Sequence, residues 1–390
     1  MLKFSVNSLE FAETVDKVAN AVTVTKDKGE VIESCIQIRV FRDMPFKDGK
    51  LGVMLAFDTK KQLLSSFQAN DVQTEDKDGE FYVSGKKLKE VASAFAVTDT
   101  VLNITVESEF KIEGAGSVLK LPLGNKITFI QAEKEMVQEI EMETKELQNL
   151  LRYGGCAYDS KSTKNLDCIC LQFSKKDHKA VAISSDTLRI AYAETKELTF
   201  SDKTTQEDRM VLIDVDQLKA LGKLMNTKNV LIRISEKQLY VKCGTDVAIF
   251  LTKEGSFPIS SISNVKDSMK VHTTLKVLNQ DMLNALVIFE IGHAGPEAYL
   301  EVVSVNDKQI CFKSVENTAE TNITVAQNGV FKKMGLNEKL FKQVLSVFSR
   351  DKALYISIGD ENMPIQVREE EDAANVIMLC VVNRDKKDKK

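Results

Sequence analysis

The sequence predicts an α+β protein in which two helices pack on antiparallel sheet, with the whole arrangement occurring three times. Three observations predict it. Most apolar runs alternate with the period of a strand, two stretches near residues 9–18 and 88–95 carry helical spacing instead, and the same order of elements returns twice along the 390-residue chain. Leu2 to Val6 alternates as a strand, and Asn7-Ser8 can cap a helix over Leu9, Phe11, Ala12, Val15 and Val18. Strands follow over 31–40, 51–57 and 62–69. Phe81-Tyr-Val-Ser-Gly then leads into a second helix with Leu88, Val91, Ala92 and Phe95 at helical spacing, and strands resume over 101–107, 110–113 and 117–123.

The second block opens at Ile140-Glu-Met-Glu-Thr-Lys-Glu-Leu and the third at Leu275-Lys-Val-Leu-Asn-Gln-Asp-Met-Leu. Leu9, Leu147 and Leu283, taken as equivalent helix positions, stand 138 and 136 residues apart, and the second-helix leucines Leu88, Leu218 and Leu340 stand 130 and 122 apart. The strands Val101-Leu-Asn-Ile-Thr-Val, Val230-Leu-Ile-Arg-Ile-Ser and Ala353-Leu-Tyr-Ile-Ser-Ile share one pattern. Polar stretches at 132–137 and 264–270 read as boundaries. The expected domains are 1–134, 135–266 and 267–383, followed by a basic tail, 384–390, that holds Lys386, Lys387, Lys389 and Lys390.

Hydrophobic content of 43% and charged content of 28% are those of a globular protein with real cores. No run approaches the ~20 apolar residues of a membrane span, and the N-terminus reads as a strand, so a cytosolic protein is expected. A net charge of -4 excludes a binder that grips nucleic acid by bulk charge and leaves room for a local basic face. Seven scattered cysteines argue for reduced thiols. Cys168 and Cys170 fall on one face of a strand and read as buried apolar residues, or as half of a metal site that has no second half nearby.

Ile183 to Glu194 runs strand, polar turn, strand, with the turn at Ser184-Ser185-Asp186-Thr187. By itself it fits an ordinary hairpin whose Ser or Asp bonds its own backbone. Within the threefold order, Ser185-Asp186-Thr187-Leu188-Arg189-Ile190-Ala191 is similar to Thr-Asp-Gly-His-Arg-Leu-Ala of the bacterial sliding clamps, the beta subunits of DNA polymerase III. Gly255-Ser-Phe-Pro258 is similar to their Gly-Arg-Phe-Pro, and Pro364-Ile-Gln-Val with Asn375-Val-Ile-Met-Leu-Cys resembles their final strands. The resemblance spans essentially the whole chain and identifies a somewhat divergent member.

The resemblance implies three clamp-type domains closing head to tail into a homodimeric ring around duplex DNA, without sequence preference. Such a ring is a processivity factor, a non-catalytic subunit of a polymerase holoenzyme with no cofactor. The helices would line the hole. Candidate phosphate-facing residues are Lys26, Lys28, Lys86, Lys87, Lys89, Arg152, Lys161, Lys164, Lys219, Lys223, Lys339 and Lys342, each of which as a residue also fits a solvated helix surface. Glu10, Glu13 and Asp16 on the first helix fit a uniformly basic lining poorly.

Polymerase and loader subunits dock short hydrophobic motifs in a cleft between the second and third domains of such clamps. The resemblance assigns to it Leu166, Ser185, Thr187, Leu188, Arg189, Ile190, Pro258, Ile262, Pro364, Val376, Met378 and Cys380, of which Ile190, Val376 and Met378 equally fit a core. Thr187 stands where the family has Gly and Leu188 where it has His, which enlarges and greases the rim. The dimer contact is assigned to Ser117, Leu119 and Leu121 on an edge strand, meeting Leu286, Phe289 and Ile291. These departures and the tail also fit a phage- or plasmid-type paralogue with different partners.

No Walker loop, His-Glu-x-x-His or Gly-x-Ser-x-Gly is present, and Gly114-x-Gly116 sits between strands, where it reads as a hairpin turn. His178, His272 and His293 stand in no metal or nucleophile motif. A cysteine hydrolase built on Cys156, His178 and Asp186 is the alternative from the enzyme class, and their spacing gives it no support.

Overall fold

The computed structural model describes the chain except residues 23, 28–29, 47–48, 59, 127–129, 163, 196, 293–298, 315–318, 361–362, 372 and 383–390. Seven α-helices occur among the described residues: α1 (Ser8–Val18), α2 (Gly85–Phe95), α3 (Thr144–Gly154), α4 (Val215–Leu218), α5 (Ile259–Ser268), α6 (Asn279–Gly292) and α7 (Glu338–Val347). All but α5 begin at the residue after a strand ends, which is the strand-to-helix unit read from the sequence. Caps fix several of these switches. The Asn7 side chain accepts from the Leu9 and Glu10 N–H groups at 2.9 and 3.1 Å, and that of Asn337 accepts from the Leu340 N–H at 3.0 Å.

The repeat is real at the level of element order, and its register differs from the leucine alignment. Leu9 is 45% exposed, whereas the fourth residues of α1, α3 and α6, Phe11, Leu147 and Met282, are all buried. The fourth residues of α2, α4 and α7, Leu88, Leu218 and Phe341, are likewise buried, and Leu340 is only half-buried. A helix aligns by the face it buries, and leucine is one of several residues that can fill that face. The polar stretch 264–270, read as a boundary, is helical up to Ser268.

Backbone contacts gather the chain into two compact units, and the middle block contributes to both. Unit 1 is 1–145, 198–207 and 216–253; unit 2 is 146–197, 208–215 and 254–390. In unit 1 a nine-stranded sheet runs Thr199–Phe200, Gln138–Glu143, Asn229–Ile234, Gln238–Cys243, Asp246–Leu251, Lys61–Phe67, Gly52–Phe57, Cys35–Phe41, Asp78–Ser84. A five-stranded sheet runs Ser117–Pro122, Glu109–Gly114, Val101–Val106, Leu2–Asn7, Asn70–Gln73. The expected turn at Gly114-x-Gly116 joins two of its strands, with Ala115 and Gly116 at φ 48° and 75°, the backbone of a tight hairpin.

In unit 2 a nine-stranded sheet runs Asp208–Asp214, Cys168–Ser174, Lys179–Ser185, Arg189–Glu194, Val376–Leu379, Ile365–Arg368, Ala353–Ile358, Thr273–Leu278, Ala326–Asn328. A four-stranded sheet runs Glu320–Thr324, Gln309–Lys313, Tyr299–Asn306, Lys333–Asn337. All strand pairs described are antiparallel. No helix among the described residues is long and apolar enough to cross a membrane.

The core of unit 1 is aromatic. Phe67 meets Phe4 and Phe11 at ring-centroid distances of 6.2 and 6.0 Å, and Phe81 stacks on Phe110 at 5.5 Å. α1 lies on this core and reaches a buried ion pair. The Asp246 carboxylate, 3% exposed, accepts from Lys17 Nζ at 3.1 Å and from Ser65 Oγ at 2.6 Å. The polar segment that follows the first block is pinned beside it, with the Ile130 N–H on Gln62 and the Gln131 carbonyl on Gln238.

Two outcomes follow for unit 1. Asp246→Ala leaves the part-buried Lys17 ammonium with Glu13 as its remaining carboxylate and Ser65 without its acceptor, and should cost about 2 kcal/mol in urea unfolding; an unchanged midpoint would show the Asp246 contacts to be dispensable. Burial works against the charge on Lys17, yet Glu13 and Asp246 hold its pKa above the ordinary 10.5. A group raised on folding stabilises below its unfolded pKa and loses that contribution as pH climbs through the raised value. Wild-type stability should therefore fall above pH ~10.5, and Lys17→Met should remove that part of the fall.

Candidate functional site

The hairpin turn at 185–189 is held almost entirely by its own side chains. Ser185 Oγ donates to the Arg189 carbonyl at 2.9 Å and accepts from the Thr187 N–H at 3.3 Å. Asp186 accepts from the Leu188 and Arg189 N–H groups at 3.1 and 2.6 Å with one oxygen. Its other oxygen takes Arg189 Nε at 2.8 Å and Nη2 at 2.7 Å. The last guanidinium nitrogen donates to Gln343 on α7 at 2.7 Å, so Arg189 is a buried tie rather than a free cation. Thr187 sits at φ +73°, a left-handed conformation that disfavours β-branched residues. The same geometry turns Leu188 outward to 51% exposure.

The two strands around this turn form the floor of an apolar patch. Antiparallel register sets Ile190 opposite Met378 and Tyr192 opposite Val376, so these four side chains share one face. Ile190 and Tyr192, with Leu166, Val181 and Ile259, pack on a buried cluster of Cys168, Cys170, Ile183, Leu212, Phe257 and Ile262. Both strand cysteines are thus fully buried, as apolar residues are. α5 lies over this face, with Lys266 Nζ 4.5 Å from the Tyr192 ring centroid and the Lys266 carbonyl accepting from Gln366 at 3.4 Å.

A latch of Asn165 fixes one wall. Its amide donates to the Glu254 and Ser256 carbonyls at 3.4 and 3.2 Å, across Gly255 at φ +122°. A Cβ on Gly255 would stand 2.5 Å from that amide, so the Gly-x-x-Pro stretch needs its glycine.

The assigned cleft residues therefore divide by exposure. Thr187, Leu188, Pro258 and Cys380 are exposed, and Leu166 and Ile190 are half-buried. The Cys380 N–H bonds the Leu188 carbonyl at 2.9 Å, which joins the last strand to the turn. Ser185, Arg189, Ile262, Pro364, Val376 and Met378 are buried, so half of the residues assigned to the cleft lie beneath the surface; all four residues of the strand that holds Val376 and Met378 are covered. A cavity of about 480 Å³ does occur in unit 2, but His272, Tyr299, Met334, Met363 and Val382 are among its lining and no assigned cleft residue is.

The assigned dimer residues need a similar correction. Ser117, Leu119 and Leu121 do lie on an edge strand of the five-stranded sheet. Leu286 and Phe289 are fully buried in their own unit and cannot meet a partner. α6 is apolar nearly all round, so one stripe fills the core while Val287, Ile288 and Ile291 stay outside, the last at 83% exposure. That second stripe was the signal available in the sequence, where helical spacing alone does not say which stripe faces in.

Half of the eight assigned basic residues on helices and helical turns pair with acids. Asp16 accepts from Lys89 at 3.0 Å and from Lys223 at 2.5 Å. Lys219 pairs with Asp216 at 2.5 Å, and Lys342 with Glu290 at 2.5 Å. Lys86, Lys87 and Lys339 are exposed, and Lys87 and Lys339 form no ion pair among the described residues. Lys161 and Lys164 sit exposed in a loop. Arg152 donates to the Val347 carbonyl at 2.6 Å at the end of α7. Lys26 lies on the strand Val24–Asp27; its side chain, like Lys28, His293 and the tail lysines, is outside the described residues. The misfit of Glu10 and Glu13 also resolves, since Glu10 pairs with Lys50 at 2.6 Å and Glu13 with Lys17 at 3.0 Å.

The hydrolase trio is not assembled. His178 precedes and Asp186 follows the strand Lys179–Ser185, which separates them by about 26 Å at ~3.3 Å per residue. Burial pushes the Cys156 thiol up to about 12, and its Sγ donates to the Tyr153 carbonyl at 3.3 Å.

No family model and no curated protein matches the sequence. Solved structures do. The DNA polymerase III beta subunit of Thermotoga maritima matches with a TM-score of 0.81 at 15% identity, over 98% of this chain and 100% of that one. The DNA polymerase sliding clamp of Bacillus subtilis matches at 0.79 and 17% identity, over 98% and 99%. The Helicobacter pylori beta clamp, solved bound to a DNA ligase peptide, matches at 0.76 and 16%, over 98% and 100%. Over nearly its whole length, the fold of this chain is that of the bacterial DNA polymerase III beta subunit.

Proposed function

We propose that the chain is a DNA sliding clamp. Two copies close head to tail around duplex DNA, and the ring tethers a replicative polymerase, its loader and other DNA enzymes without catalysing a reaction itself. The observation that carries this reading is the likeness of fold to bacterial sliding clamps over 98% of the chain. The three blocks, 1–134, 135–266 and 267–383, are then its three domains, and a cytoplasmic location follows from the work.

Several features support such a ring. An edge strand with Val118 exposed and an outward stripe of Val287, Ile288 and Ile291 suit a heterologous contact that closes. A net charge of -4 suits a protein held on DNA by topology, since every phosphate gripped adds friction. Leucine or aromatic anchors of a partner motif would meet Leu188, Ile190, Leu166, Pro258 and Cys380 first. Leu188 and Thr187 also favour a second reading, a paralogue of phage or plasmid type whose partners present a more apolar motif than a His-rimmed cleft accepts.

Light scattering should give about twice the 43.6 kDa chain mass, and Ile288→Asp with Ile291→Asp should reduce it to the single chain with unchanged circular dichroism. A wild-type monomer, or a double variant of unchanged mass, would contradict the ring. For the patch, Leu188→Ser should weaken an anisotropy-measured leucine-aromatic motif peptide by about 2 kcal/mol. Equal binding by wild type and variant would remove Leu188 from the docking surface.

A further inference from the structure

A lysine follows the buried fourth residue of α2, α4 and α7, namely Lys89 and Lys342 within their helices and Lys219 in the 3-10 turn that continues α4, and each is tied to a carboxylate. The partners come from different places. Asp16 lies on α1, Asp216 one turn back on α4 itself, and Glu290 near the end of α6. Equivalent lysines are thus neutralised in all three blocks by acids that are not equivalent to one another. Asp16 takes in Lys223 as well, so four lysines and three carboxylates leave a net charge of +1.

We propose that Asp16, Asp216 and Glu290 are built-in counter-anions that keep these four lysines from gripping duplex phosphates, so that the ring slides. The inference rests on the clamp reading, which turns these helices toward DNA. A phosphate that recruits Lys89 must displace a carboxylate already at hydrogen-bond distance, and it is itself repelled by that carboxylate. Both effects reduce what the contact gains, and few condensed counterions are released. Although partial burial disfavours its charge, Asp16 is held below the usual carboxylate range by Lys223 and Lys89, so the screen stays in place at neutral pH. Durable phosphate contact falls instead to Lys87 and Lys339, two and three positions before Lys89 and Lys342 on the same helices.

The test is the salt dependence of binding to a short linear duplex, read by anisotropy. Asp16→Asn, Asp216→Asn and Glu290→Gln combined should bind at least tenfold tighter at low salt, with the slope of log K against log salt steeper by up to about 0.9 for each phosphate newly contacted. An unchanged slope in the folded variant overturns the proposal. Should that variant not fold, Lys89→Gln, Lys219→Gln and Lys342→Gln decide it. The slope should stay at the wild-type value, whereas a loss of about 0.9 per lysine would show that these lysines hold phosphates after all. The clamp reading fails separately, and visibly, if the wild-type protein is a monomer.

Discussion

In each unit the backbone of one strand closes a sheet edge that belongs to a different block. Asp246–Leu251 pairs with Lys61–Phe67 in unit 1, and Arg189–Glu194 pairs with Val376–Leu379 in unit 2. An unpaired edge in either place would expose a row of N–H and C=O groups, so each join satisfies two edges at once. Register then follows from side-chain alternation. The second join sets Ile190 against Met378 and thereby places the apolar patch. The first brings the Asp246 carboxylate to Lys17 of α1 and so fixes the helix that carries Asp16. Both the apolar patch and the polar helix face depend on these two ladders.

Electrostatics on this frame is arranged in closed pairs. The Arg189 guanidinium is spent on Asp186 and Gln343, and α1 sets Glu10, Glu13 and Asp16 each against a lysine. Exposed pairs of this kind contribute little to stability. Their consequence is that several lysines on the helices, Lys89, Lys219, Lys223 and Lys342 among them, already face a carboxylate.

Much of the fold was legible because strand alternation and helix capping are local. Asn7 caps α1 and Asp186 closes its turn as their sequence positions imply. The errors came where tertiary packing decides. Leucines do not mark equivalent positions when Phe11, Leu147 and Met282 fill the same slot. α6 carries two apolar stripes, and only the packed structure shows that Leu286 and Phe289 face inward while Ile288 and Ile291 do not. α5 was missed because its polar second half looks like a linker. The patch was half legible, since the turn and Gly255 announce it while the closure of Val376 and Met378 under it does not follow from their spacing.

Whether the protein encircles DNA is read from its retention on DNA of different topology. Protein loaded on a nicked circular plasmid would be re-isolated with the DNA before and after cutting at a single site. A protein that encircles the duplex stays on the circle and is lost from the linear product. Equal retention on both forms, or on neither, would contradict encirclement.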